Sequence, residues 1–303
     1  MKFKLAQLQM PVFEDKERSV AYMREMAERA VKMGADFLAL PEMFACPYTA
    51  DNFPVYAESA GGPLWQACSE LAGKLHVYLS AGSMPERDEN GNIYNTAYVF
   101  DREGRQIARH RKMHLFDIHV EGGQHFQESA TLTAGNTSTV FDTEYGRFGL
   151  CICYDFRFPE LGRLMALKGA KVILVPAAFN MTTGPAHWEL MFRSQALNQQ
   201  VYAVGTAPAR DEGGCYISWG HSIVAGPWGE CVCQMDEKPG IQLTEIDLSC
   251  VDAVRRQLPL LTHRRTDVYT LQEQKPAFCP LEHAGGVSQL YGAGEVKQQE
   301  RRG

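Results

Sequence analysis

Gly169-Ala170-Lys171-Val172-Ile173-Leu174-Val175-Pro176-Ala177-Ala178-Phe179 reads as a helix stop, a wholly apolar strand and a proline break. The same phrase stands earlier as Gly34-Ala35-Asp36-Phe37-Leu38-Ala39-Leu40-Pro41-Glu42-Met43-Phe44, with Gly, Ala, Pro and Phe at equal offsets. An amphipathic helix precedes each copy. Lys16 to Met33 carries Val20, Met23, Ala27, Ala30 and Val31 on one face and ends at Gly34, and Pro159 to Lys168 ends at Gly169. Each helix follows a strand, Lys4 to Met10 in the first case and an apolar run through Cys153 to Asp155 in the second. The chain therefore reads as two α/β halves related by a pseudo-twofold internal repeat. Strands this apolar need cover on both faces, which favours sheets packed together with helices outside.

Further elements fill in around the repeat. Leu64, Cys68, Leu71 and Leu75 mark another helix, and His76 to Ser83 a strand. Asn90-Gly91 separates that strand from Ile93 to Phe100, and Asp101-Arg102-Glu103-Gly104 turns the chain into Arg105 to Lys112. A helix from His187 to Gln200 and strands at Val201 to Ala207, His221 to Ala225, Glu230 to Met235 and Gln242 to Leu248 complete a domain spanning 1–271. Residues 272–303, rich in Gly, Gln, Glu and Pro, read as a surface tail or an arm on a partner subunit.

A net charge of -6 over 303 residues leaves no basic footprint for nucleic acid or an anionic membrane, so small molecules or proteins are the expected partners. The start, Met1-Lys2-Phe3-Lys4-Leu5, lacks the apolar core of a signal peptide, and no run reaches the roughly 18 apolar residues of a membrane span. Nine scattered cysteines fit reduced thiols and a cytoplasmic location rather than a disulfide framework.

Cys153 sits where the second half's first strand meets a proline-started helix. A strand end delivers its side chain into the crevice of an α/β sheet, and a helix N-terminus there favours a thiolate. Alone, the residue reads sooner as packing than as a nucleophile, and Cys151 inside the same strand reads as core. Cys231-Val232-Cys233 reads as packing too, because zinc sites want wider pairs and further ligands. None of the nine histidines has a neighbourhood that marks it as the partner of a nucleophilic thiol. Charges at strand ends stand out instead. Glu42 follows Phe37-Leu38-Ala39-Leu40-Pro41, and Lys112 follows Gln106-Ile107-Ala108-Arg109-His110-Arg111. Separately they read as a solvated carboxylate and one member of a basic cluster. Together with Cys153 they supply a base, an oxyanion stabiliser and a nucleophile, the complement that thioester-forming hydrolysis needs.

Leu40-Pro41-Glu42-Met43-Phe44, His110-Arg111-Lys112-Met113-His114-Leu115-Phe116-Asp117 and Cys151-Ile152-Cys153-Tyr154-Asp155-Phe156-Arg157-Phe158-Pro159-Glu160 resemble the three signatures of the nitrilase, or carbon-nitrogen hydrolase, superfamily. The resemblance covers roughly residues 2 to 271. It implies a four-layer αββα sandwich, assembly through helical faces into a homodimer or larger homo-oligomer, and no metal or organic cofactor. Glu128 matches the family's second glutamate. Lys112 to Ile118 with Phe126-Gln127-Glu128-Ser129 and Leu132-Thr133-Ala134-Gly135 is most similar to the ω-amidase branch, whose substrates are the distal amides of 2-oxoglutaramate and 2-oxosuccinamate. That similarity implies that Glu42 deprotonates Cys153, that Lys112 and the Tyr154 N–H hold the oxyanion, and that Glu128 fixes Lys112. A small-molecule amide with a distal carboxylate needs a cationic receptor, for which Arg157 is the candidate; an internal ion pair with Glu160 or Asp155 is the other reading. Phe179, Met181 and Thr183, and less directly Tyr48, are expected to line the pocket. Another amidase of the superfamily, acting on deaminated glutathione or an N-carbamoyl compound, or a nitrilase, would use the same catalytic set. A non-catalytic binding scaffold would have no need of all four residues.

Overall fold

The computed structural model describes residues 1–122 and 125–274. The first half runs β1 (Lys2–Gln9), α1 (Lys16–Lys32), β2 (Phe37–Ala39), α2 (Asn52–Tyr56), α3 (Pro63–Leu75), β3 (Tyr78–Ser80), β4 (Met84–Arg87), β5 (Ile93–Phe100) and β6 (Gln106–Arg111). A separate ribbon, β7 (Asp117–His119) with β8 (His125–Gln127), bridges to the second half. That half runs β9 (Thr139–Thr143), β10 (Gly146–Leu150), α4 (Pro159–Leu167), β11 (Val172–Pro176), α5 (Gly184–Gln199), β12 (Tyr202–Thr206), β13 (Ile223–Ala225) and β14 (Cys231–Gln234). β15 (Gly240–Asp247) and α6 (Leu248–Gln257) follow.

One sheet has the order β15-β1-β2-β3-β5-β4 with β6 beside β5, and the other β14-β13-β12-β11-β10-β9. In each, three parallel strands (β1, β2, β3 or β10, β11, β12) lie between antiparallel neighbours. The repeat extends to backbone detail. Gly34 and Gly169 turn out of their helices at φ +93° and +98°, conformations open to glycine without a Cβ penalty. His76 and Gln200 cap α3 and α5 at φ +53° and +54°.

The sheets pack face to face. Phe37 of β2 stacks on Phe148 of β10 with ring centroids 5.5 Å apart, and Gln7 reaches across to donate to the Gly205 carbonyl at 2.7 Å. Outside the first sheet, α1 and α3 bury Met23, Met26, Leu64 and Leu71; outside the second, α4 and α5 bury Leu161, Met165, Trp188 and Phe192. The architecture is the four-layer αββα sandwich that the family resemblance implies, and it contains the two α/β halves expected from the repeat. Gly205 permits the α5 contact, since a Cβ there would lie 2.3 Å from Phe192.

Several local expectations change. β10 stops at Leu150, and a 3-10 turn, Cys153–Arg157, intervenes before α4, so the helix N-terminus does not abut the thiol. Cys153 itself has φ +46°, which a continuing strand cannot accommodate. The strand read at His76 to Ser83 divides into β3 and β4 at Gly82, φ +53°, where a Cβ would come within 2.1 Å of the Pro41 carbonyl oxygen. Cys231-Val232-Cys233 lies on β14, an edge strand, where Cys231 and Val232 are exposed and Cys233 packs against the core, so the packing expected of this stretch falls to Cys233 alone. α6, the ribbon and β9 carried no clear period. Met1–Glu273 forms one compact unit; of the expected tail, 275–303 lies outside the described residues. Among the described residues no helix is long and apolar enough to cross a membrane.

Candidate active site

The two copies of the repeated phrase meet at Glu42. Its Oε2 accepts the Ala178 N–H at 2.9 Å, so the residue after the first strand's proline is bonded to the segment after the second's. Its Oε1 accepts from Asn95 Nδ2 at 2.8 Å, Lys112 Nζ at 3.0 Å and the Tyr48 hydroxyl at 3.0 Å. Lys112 leaves β6 with its N–H donating to the Asn95 carbonyl at 2.8 Å. Its Nζ also donates to Glu128 Oε1 at 2.8 Å and the Tyr48 oxygen at 3.3 Å. Glu128 starts a 3-10 turn, and its Oε2 accepts the Phe116 N–H at 2.7 Å. Tyr48 also contacts Glu128 Oε1; with one hydroxyl hydrogen it donates to one carboxylate at a time.

Glu42, Lys112 and Glu128 are closed off from solvent, and Cys153 is 5% exposed. Burial works against the Lys112 ammonium, but the Glu128 and Glu42 carboxylates outweigh it and hold its pKa above the ordinary lysine value. Burial raises Glu128, reinforced by Glu42 and opposed by Lys112. Burial and the Glu42 carboxylate push the Cys153 thiol up, while Lys112 and the Ala178 N–H pull it down. The resting sulfur is thus held as a thiol, against the thiolate expected from a strand end facing a helix. For this sulfur to act as a nucleophile, a base would have to remove its proton.

Residues 4–256 match the Carbon-nitrogen hydrolase family. The chain belongs to that family. This hydrolase is 43% identical over 274 residues to the omega-amidase NIT2 of Mus musculus, covering 90% of this chain and 99% of the relative. It is 44% identical to the chloroplastic omega-amidase of Arabidopsis thaliana, over 89% of this chain and 74% of the relative. Nit3 of Saccharomyces cerevisiae, a member of branch 10 of the nitrilase superfamily, superposes with a TM-score of 0.81 at 39% identity, covering 87% and 97% of the two chains. The protein is a cysteine-dependent amidase, a hydrolase of the carbon–nitrogen bond of linear carboxamides.

Around the hydrolase's central cluster, the other expected residues are placed unequally. Arg157 lies on the Cys153 turn with its guanidinium carbon 4.5 Å from the Phe179 ring centroid, and contacts His187 Nδ1 at 3.3 Å. The ion pairs considered for it are absent among the described residues, since Asp155 is occupied by His110 and His114. Tyr154 packs edge-on to Phe116 at 5.1 Å. Phe179 is buried against Trp188. Met181 is 40% exposed, and Thr183 is bonded to Asn180 Oδ1 at the start of α5. A cavity beside Glu42 is lined by Tyr48, Ala178, Cys46, Cys215 and Tyr216, with Cys153 and Arg157 outside its lining. Arg157 instead borders a surface groove with Pro159, His187, Leu190 and Met191.

Three contributors escaped the sequence reading. Asn95 is a buried amide in the wholly buried strand β5, a signal that was available. Tyr216, its ring 4.8 Å from Tyr48 and its hydroxyl donating to the Ala178 carbonyl at 2.5 Å, comes from a Gly-Gly-Cys loop without any such mark. His110 and His114 both bond Asp155, partners more than 40 residues away.

Proposed function

We propose that this hydrolase is an ω-amidase, acting on the terminal amide of short dicarboxylic keto-acid monoamides such as 2-oxoglutaramate and 2-oxosuccinamate. One observation carries the reading: Glu42, Lys112, Glu128 and Cys153, from four separate segments, gather at one buried locus, and the guanidinium on the Cys153 turn has no carboxylate partner among the described residues. The omega-amidase names of its relatives agree with it.

Glu42 takes the proton from Cys153 as sulfur attacks the amide carbon. Lys112 and the Tyr154 N–H stabilise the oxyanion, and the protonated Glu42 passes its proton to departing ammonia. Water activated by Glu42 then hydrolyses the thioester. Glu128 and Tyr48 hold Lys112 in place, and Phe179, Met181 and Thr183 flank the bound chain. Arg157 receives the substrate's carboxylate, its charge already disfavoured by burial and so ready for an anionic partner. Leu190, exposed on α5 beside Met191, suits the helical face to a homodimer contact, checked by light scattering. Eight free cysteines among the described residues suit the reducing cytoplasm.

Ammonia release from 2-oxoglutaramate, deaminated glutathione, an N-carbamoyl amino acid and a simple nitrile is the test. The keto-acid amide is expected to give the highest kcat/KM, and another amide leading by tenfold overturns the assignment. Arg157→Lys is expected to raise KM for the keto-acid amide about tenfold or more, through loss of bidentate pairing, with little change for an uncharged amide. Equal effects on both remove the clamp.

A further inference from the structure

The Asp155 carboxylate is wholly buried and makes five hydrogen bonds, none of them to the residues assigned to the chemistry. Its Oδ1 accepts the Met113 N–H at 3.1 Å, the His114 N–H at 2.8 Å and His114 Nδ1 at 2.8 Å. Its Oδ2 accepts His110 Nε2 at 3.0 Å and the Ile152 N–H at 3.1 Å. Ionised, a carboxylate only accepts, so each imidazole presents its N–H to Asp155. The donors flank Lys112 on both sides and Cys153 on one. His110, Met113 and His114 bracket Lys112, and Ile152 immediately precedes Cys153.

We infer that Asp155 is a positioning residue for amide hydrolysis, a single buried anion that locks the Lys112 segment to the Cys153 turn and so sets the distance between oxyanion stabiliser and nucleophile. The inference rests on the assignment of Lys112 and Cys153 above. The two segments are not strand neighbours: β6 belongs to the first sheet, and the Cys153 turn follows β10 of the second. Their register therefore depends on side-chain bonds between the sheets. The left-handed Cys153 needs such a restraint, because an unrestrained non-glycine residue leaves that region readily. Two further contacts keep the histidines in place: Thr139 Oγ1 lies 3.0 Å from His110 Nδ1, and Phe158 stacks on the His114 ring at 3.8 Å. Burial opposes the charge on Asp155, but the His110 and His114 bonds outweigh it and hold the carboxyl well below the usual range.

The full-length chain, its Asp155→Asn variant and a milder His114→Gln variant are compared by steady-state kinetics, by pre-steady-state acylation and by the rate of Cys153 alkylation with chloroacetamide. Asn preserves shape but turns one acceptor into a donor facing N–H groups. The expected result for Asp155→Asn is a kcat lowered 100-fold or more, with KM within threefold. The same factor is expected for charged and uncharged amides, with slower alkylation. His114→Gln, which leaves the His110 and Ile152 bonds, is expected to lower kcat about tenfold with an unchanged melting temperature. Unchanged kcat in His114→Gln together with full recovery of Asp155→Asn activity on cooling marks a purely structural role and overturns the inference, as does a folded Asp155→Asn of normal kcat. Turnover surviving in Cys153→Ala instead overturns the underlying site assignment, whatever the Asp155 variants do.

Discussion

Cys153→Ala is expected to reduce amide turnover to background, a loss on the order of 10⁴–10⁶ in kcat, while the melting temperature stays within a few degrees of the parent. Cys151, two residues earlier, is packed in the core with its thiol pushed well up by burial and by the nearby Asp155. The unchanged stability follows from the backbone. Alanine keeps the left-handed conformation that position 153 already adopts, and the side chain removed is small, so little packing is lost. Ammonia release and a calorimetric scan on one preparation separate lost chemistry from lost fold. Turnover above a hundredth of the parent removes the sulfur from the mechanism.

Lys112→Met should be the more damaging change to the molecule as a whole. Methionine fills much the same space but leaves Glu42 and Glu128 facing each other in a buried site, with Tyr48, Asn95, the Cys153 thiol and two backbone N–H groups as donors among the described residues. Breaking a buried ion pair from one side destabilises by about 3–5 kcal/mol. Losing an oxyanion donor lowers kcat by about 10²–10³ or more. The stability deficit has a definite pH signature. Without the ammonium, one of the two carboxyls has its folded-state pKa raised, so the folded variant binds more protons than the unfolded chain above the ordinary glutamate value. The deficit is therefore largest at neutral and alkaline pH and shrinks as pH falls toward about 4. Urea unfolding midpoints across that range are the measurement. A deficit that grows on acidification would mean that the two glutamates do not share the lysine.

These expectations rest on contacts of very different legibility. The repeated Gly-Ala to Pro phrase foretold both sheets' parallel centres because helix stops and buried strands are local, periodic events, and Gly34 and Gly169 turn alike. Glu42 was legible for a related reason, since a charge at the end of an apolar strand has few places to go, whereas Lys112, following Arg109-His110-Arg111, was legible only in combination with Glu42 and Cys153. Cys153 was found, but its surroundings were misjudged. Its turn is shaped by a side-chain cap from Asp155 to the Ile152 amide and by left-handed backbone, neither of which leaves a period in the sequence. Tyr216 and His114 on loops, and His110 on β6, find their partners only through the sandwich, and pairings between sheets have no spacing to read.

The first sheet is finished by the end of the chain. β15 lies along the whole of β1, Lys2 opposite Asp247 and Gln9 opposite Gly240, whereas the second sheet pairs only within residues 139–234. The edge of the sheet bearing Glu42 and Lys112 is thus covered only once residues 2–9 and 240–247 have met. Closing so long a loop costs chain entropy before the pairing repays it, and closure is expected to be slow. A chain cut before Gly240 is expected to keep Cys153 and lose amide turnover, with ammonia release from such a truncation as the measurement.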